Sequence, residues 1–190
     1  MAACQTESEP LPILGQHEFT LQEDGSVDTS YYQIPSFGFW NQDSALITEK
    51  VSESKVYVAD FFFTSCPTIC PKMKRNMRSL YDSFEENDQV IFLSHSIDPK
   101  RDSVDKLHSY AESLEVSSKK WHFLTGEKSS LYNIAKAYMV SAAEDPKAPG
   151  GYIDDGAFIL IDQQRRIRGY YDGTLKEDTE LLKNDIKRLL

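Results

Sequence analysis

The chain has 190 residues, 40% of them apolar and 27% charged, the proportions of a folded globular domain. Twenty-one bases against 30 acids leave a net charge of −9, which repels phosphate backbones and argues against a general nucleic-acid binder. No run approaches the roughly 20 apolar residues of a membrane span, and the best candidate, residues 56–63, is interrupted by Asp60.

Residues 1–30 are polar and broken by Pro10, Pro12, Gly15 and Gly25, so they read as a tether with a loosely attached segment ahead of one domain, residues 31–190. Cys4 follows Met1-Ala2-Ala3, small residues like those that end a bacterial lipoprotein signal. A cysteine in a solvated tail is the bland alternative. Phe37-Gly38-Phe39-Trp40 and Leu46-Ile47-Thr48 flank the turn-like Asn41-Gln42-Asp43-Ser44 and predict a hairpin. Residues 56–63, rich in β-branched and aromatic side chains, have the continuous apolar character of a strand buried on both faces.

Met73, Met77, Leu80, Tyr81 and Phe84 then recur at helical spacing, so that strand feeds directly into a helix. Residues 90–97 form a second buried strand. Asp102 or Ser103 can cap the next helix, whose inner face carries Val104, Leu107, Tyr110, Ala111 and Leu114. Residues 121–124 make a short strand, and Ser129 can cap a helix bearing Leu131, Ile134, Ala135 and Tyr138. Residues 157–161 and 167–171 pair across Asp162-Gln163-Gln164-Arg165, and a last helix covers about residues 177–190. Strand–helix alternation calls for right-handed parallel crossovers, and the late hairpin adds antiparallel strands. The fold class is therefore α/β, a thioredoxin-like mixed sheet flanked by helices with an additional N-terminal β-hairpin.

Three cysteines are too few for a disulfide-stapled scaffold. Cys66 and Cys70 enclose Pro67-Thr68-Ile69 where a buried strand becomes a helix. The i, i+4 spacing brings both sulfurs to one side, and the free N–H groups of a helix start favour thiolate over thiol. A thiolate is both the nucleophile of disulfide exchange and a soft ligand. Zinc would want four protein ligands, and no second cysteine pair supplies them; Cu(I), content with two or three, fits the inventory better. Met73 and Met77 invite a copper reading, but their spacing matches core positions.

Residues 60–71, Asp-Phe-Phe-Phe-Thr-Ser-Cys-Pro-Thr-Ile-Cys-Pro, resemble the copper-site signature of the Sco/SenC family. Ser96-Ile97-Asp98-Pro99-Lys100-Arg101-Asp102 resembles its second marker, and Phe158-Ile159-Leu160-Ile161-Asp162 with Arg166-Ile167-Arg168-Gly169 its third. The resemblance spans about residues 31–190. It implies a thioredoxin-like, extracytoplasmic, membrane-tethered protein of the bacterial envelope that serves assembly of a cytochrome oxidase copper centre. Its partner would be the copper-site subunit or another thiol-bearing protein, and it would bind copper through the two cysteines and a distant histidine. Some members act instead as thiol–disulfide reductants.

The chain departs from this pattern at the histidine. Counting back from Phe158 puts the family's position at Asp154, or at Asp155 if the loop slips by one, and no histidine follows His122. A carboxylate is a hard ligand, ill matched to Cu(I). His95, near the C-terminal end of the second strand, is the one histidine nominated as a substitute, against the reading of a structural strand histidine. His17, His108 and His122 read as structural or solvent-facing. Asp98 either caps local N–H groups or orients a ligand and takes a thiol proton. Cys66 is the expected attacking thiolate and Cys70 the resolving thiol. A peroxidase on the same fold is a weaker alternative.

Overall fold

The computed structural model describes residues 9–190; Cys4 lies outside them. Two short strands, β1 (Glu18–Leu21) and β2 (Val27–Ser30), form a first hairpin, and β3 (Gly38–Trp40) with β4 (Leu46–Thr48) a second. The central elements follow in order: β5 (Val56–Phe62), α1 (Cys70–Phe84), β6 (Val90–Ser96), α2 (Val104–Leu114), β7 (Trp121–Leu124) and α3 (Lys128–Ala137). A small antiparallel pair, β8 (Ala142–Glu144) and β9 (Tyr152–Asp154), precedes β10 (Ala157–Ile161), β11 (Ile167–Asp172) and α4 (Lys176–Leu189).

The main sheet has the order β11-β10-β5-β6-β7. Strands β5, β6 and β7 are parallel, and β10 and β11 are antiparallel additions. Two successive crossovers stepping the same way across the sheet place their helices on one face. Accordingly α1, α2 and α4 pack with Val58, Phe62, Phe92, Phe158 and Leu160. On the opposite face, α3 and the β3–β4 hairpin cover Tyr57, Ala59, Phe61, Leu93 and Ile159. Every residue of β5 and of β6 is buried, as the unbroken apolar runs require of strands covered on both sides. Met73, Met77, Leu80 and Tyr81 form the inward stripe of α1, each fully buried apolar side chain contributing about 1.5–3 kcal/mol.

The structure differs from the sequence reading in several places. Residues 9–30 are not simply a loose tether: Leu14 bridges to Ile167, Arg168 donates to the carbonyls of Leu11 and Pro12, and β1–β2 is an ordered hairpin. Ser103 caps α2, leaving Asp102 for another task, and Glu127 rather than Ser129 caps α3. Helix α1 begins at Cys70, so Cys66 lies in the turn ahead of it, and Pro71 rather than Pro67 occupies the first helical turn. The edge of β7 is covered by a side chain: the amide of Gln42 donates to Trp121 O at 2.7 Å and accepts from Phe123 N at 2.9 Å. Gln42 thereby substitutes for a missing strand.

Candidate functional site

Strand β5 delivers Phe63 to the sheet's C-terminal edge, and a turn closed by Cys66 N donating to Phe63 O at 3.1 Å leads into α1. Cys66 is half-buried there and Cys70 is buried behind it. The Cys66 thiol lies 3.7 Å from Thr68 Oγ1, a hydrogen-bonding distance for sulfur. Burial opposes ionisation of Cys66, but the Cys70 thiol and the backbone N–H groups of Thr68 and Cys70 together hold its pKa below the usual thiol value. Of these donors only the Cys70 N–H belongs to the start of α1; the Thr68 N–H lies in the turn ahead of it. Burial pushes Cys70 well up, and the neighbouring Cys66 and Asp154 charges add to this.

The β8–β9 loop forms the other wall. Asp154 and Asp155 part company here: Asp155 is exposed and accepts from Ser141 N at 2.8 Å, whereas Asp154 is half-buried and its charge opposes ionisation of Cys70. Gly156 N donates to Asp154 Oδ1 at 2.9 Å, while the buried Oδ2 has no partner among the described residues. Burial pushes the Asp154 carboxyl up to about 7, with Asp155 and Asp60 adding repulsion. Close approach of this loop depends on glycine. A Cβ at Gly150 (φ +81°) would stand 2.6 Å from the Phe63 ring, and one at Gly156 (φ +74°) 3.2 Å from Ile69.

The Asp98 carboxylate is spent on side chains rather than on local backbone N–H groups. It is buried, accepts from Tyr152 Oη at 2.8 Å and pairs with Arg101, which in turn donates to Gly150 O at 2.8 Å. Tyr152 packs on Phe63 at 5.2 Å between centroids. Asp98 thus fastens the loop that carries Asp154 and does not touch the thiols. Asp102, missed as a site residue, performs the matching task on the other wall. Fully buried, it accepts from Thr64 Oγ1 and Ser96 Oγ, each at 2.6 Å, and from Thr64 N at 3.2 Å, fixing the turn two residues before Cys66. Nothing in its local sequence announces this, because its partners come from two other segments.

Beneath Cys70, Asp60 shares a narrow cleft with Lys74, Tyr110 and Ser94. Burial pushes its carboxyl up to about 7, against a hydrogen bond from Ser94. His95 is not part of this group. Its register partner is Phe61, so it points to the opposite face, enclosed by the rings of Phe37, Phe39, Phe61 and Tyr138. Both its ring nitrogens are buried without hydrogen-bond partners among the described residues, and burial lowers its pKa to about 4. Period-two alternation along β6 decides this: the residues facing α1 are 92, 94 and 96.

Two thiols suit Cu(I), which accepts two-coordination by sulfur; the nearby carboxylate is a harder donor, better matched to Cu(II) or zinc. Among the described residues, no three His, Cys, Asp or Glu side chains converge as a preformed metal cage.

A paired dithiol where the first parallel strand enters its helix, under a loop on the same sheet edge, defines a thioredoxin-like dithiol protein. The SCO1/SenC family model matches residues 26–190, and the chain belongs to that family. A SCO1/SenC family lipoprotein from Bacillus anthracis is 32% identical with a TM-score of 0.74, covering 83% of this chain and 95% of that one. BsSco, a member of the Sco family of cytochrome c oxidase assembly proteins with a disulfide switch, is 29% identical (TM-score 0.72, 83% and 93% covered). Copper-bound ScoI of Arabidopsis thaliana, 23% identical with a TM-score of 0.68 and 81% and 98% covered, shares the fold.

Proposed function

We propose that Cys66 and Cys70 are a redox dithiol that holds copper in its reduced state and exchanges disulfides during assembly of a cytochrome oxidase copper centre, in the bacterial envelope and anchored there by lipid at Cys4. The observation carrying this reading is the asymmetry of the pair: a half-exposed, low-pKa Cys66 in contact with a buried, high-pKa Cys70. The family's copper-bound and disulfide-switch relatives support both halves of it.

In exchange, the Cys66 thiolate attacks one sulfur of an acceptor disulfide, and the acceptor's other sulfur leaves as a thiolate and takes a proton. Cys70 then gives up its proton and attacks Cys66, breaking the mixed disulfide. The acceptor gains two electrons and two protons, and the chain is left with a Cys66–Cys70 disulfide. As a metal carrier, the two thiolates would hold Cu(I), and Asp98 and Asp102 would act only by fixing the walls around them.

A second reading is favoured by Asp154. With a carboxylate at the family's histidine position, the chain is an oxidoreductase that has left copper delivery and kept the thiol chemistry. Anaerobic Cu(I) titration of the reduced protein against a competing chelator separates the two, with Asp154→His alongside. Tight one-to-one binding that is lost in Cys66→Ser establishes the carrier. Weak binding restored by Asp154→His establishes the reductant, and weak binding in both proteins refutes a copper role for this pair.

A further inference from the structure

The outer face of α1 is electrically unlike the rest of the chain. Its first eleven residues, 70–80, carry Lys72, Lys74, Arg75 and Arg78 with no acid, leaving 17 bases to face all 30 acids elsewhere. Lys74 lies over the Tyr110 ring at 5.0 Å, and Arg78 is committed to Asp82 and to the Leu114 carbonyl. Lys72 and Arg75 are exposed, and neither has an acidic partner within 4.0 Å among the described residues. At 1.5 Å rise per residue, they stand about 3 and 7.5 Å along the helix axis from Cys70. Ser65, Pro67, Thr68 and Pro71, all exposed and uncharged, flank the half-exposed Cys66 and the buried Cys70 along the chain, next to Lys72.

We infer that this surface, the uncharged rim of Cys66 with Lys72 and Arg75 beside it, docks an acidic face of a partner protein that presents its cysteine pair to Cys66. The inference rests on the dithiol reading above and names the chemistry of the acceptor. Two unpaired cations on a chain of net charge −9 make a local target for an acidic surface, while the same net charge repels an anionic membrane or a nucleic acid. Steering of this kind acts on the encounter rate and weakens with salt.

The test uses synthetic peptides, each with one disulfide, flanked by Asp/Glu, by Ser/Gly or by Lys/Arg. Reduced protein is mixed anaerobically with each at low and at high salt, and the exchange rate is read by acid quench and mass spectrometry. The acidic peptide is expected to react about tenfold faster than the neutral one at low salt, and the basic peptide more slowly. Salt should collapse the difference, and Lys72→Glu/Arg75→Glu should invert the order. Equal rates for acidic and basic peptides, or an order unchanged by charge reversal, overturn the docking surface and leave the dithiol reading standing.

A protein that reduces none of the peptides refutes the dithiol reading instead. Docking is then judged by fluorescence anisotropy with the acidic peptide in its Cys→Ser form: binding lost on charge reversal upholds the surface, and absence of binding overturns it. Sedimentation with phosphatidylglycerol vesicles, dependent on Lys72 and Arg75 while the peptides show no preference, would assign the face to lipid and overturn the proposal.

Discussion

Replacing His95 by phenylalanine tests whether this residue is a core side chain or a hidden ligand. The ring is stacked on Phe61 at 5.0 Å between centroids and enclosed by Phe37, Phe39 and Tyr138, so phenylalanine matches its shape and surroundings. Its folded pKa of about 4 lies below the unfolded value near 6.5. Neutral His95 therefore supports the fold above pH 6.5, and that support is lost as pH falls toward 4. By proton linkage the loss between pH 7.5 and 5.0 is about 2 kcal/mol. The raised carboxyls of Asp60 and Asp154 act in the opposite sense, gaining stability as pH falls below about 7, but they are common to both proteins and cancel in the comparison. His122, also lowered to about 4 by burial, keeps its own acid loss in the variant. Urea unfolding at the two pH values should show His95→Phe losing about 2 kcal/mol less than the parent. At pH 7.5 the variant should be more stable by about 1–2 kcal/mol, because two unpartnered ring nitrogens are no longer buried. Cu(I) affinity should not change. An equal acid loss in both proteins, or weaker copper binding by the variant, would refute the assignment.

The asymmetry of the thiols predicts that iodoacetamide at pH 7 modifies Cys66 at least about tenfold faster than Cys70; peptide mapping that found Cys70 labelled first would reverse the assigned roles. Asp102→Ala removes three accepted hydrogen bonds from a fully buried carboxylate and should cost about 3 kcal/mol, a fall in Tm on the order of 8 °C by calorimetry. A loss below about 1 kcal/mol would mean that the turn before Cys66 holds without it.

Where long apolar runs existed, the sequence pattern sufficed. Strands β5 and β6, helix α1 and the β10–β11 hairpin are set by burial, and burial writes itself into composition and period. The β1–β2 hairpin was illegible because its face of Phe19, Leu21 and Val27 is exposed and packs on no core. The β8–β9 pair was hidden for a related reason: its three-residue strands are largely exposed and held by side chains from elsewhere, Tyr152 on Asp98 and Lys128 on Glu144 at 2.6 Å. The placement of the cysteine pair was legible because an unbroken apolar strand precedes it and a helical stripe follows it. The face that His95 occupies was not legible, because a strand of seven buried residues does not reveal it.

The two aspartates of the second sequence marker show why such blocks resist reading from one chain segment. Asp98 and Asp102 sit four residues apart, and Asp102 N donates to Asp98 O at 2.9 Å, yet each serves a different wall. Asp98 holds the Tyr152 loop and Asp102 holds Thr64, so the spacing between Cys66 and Asp154 is set by a turn containing neither. That arrangement separates positioning from chemistry. The side chain at position 154 can therefore vary while the loop that carries it stays fastened by Asp98, Arg101 and Gly150. A change there leaves the thiol pair undisturbed, because the Cys70 thiol and the backbone N–H groups that lower Cys66 belong to the other wall. Such independence of the two walls lets the loop residue vary without moving the pair of sulfurs.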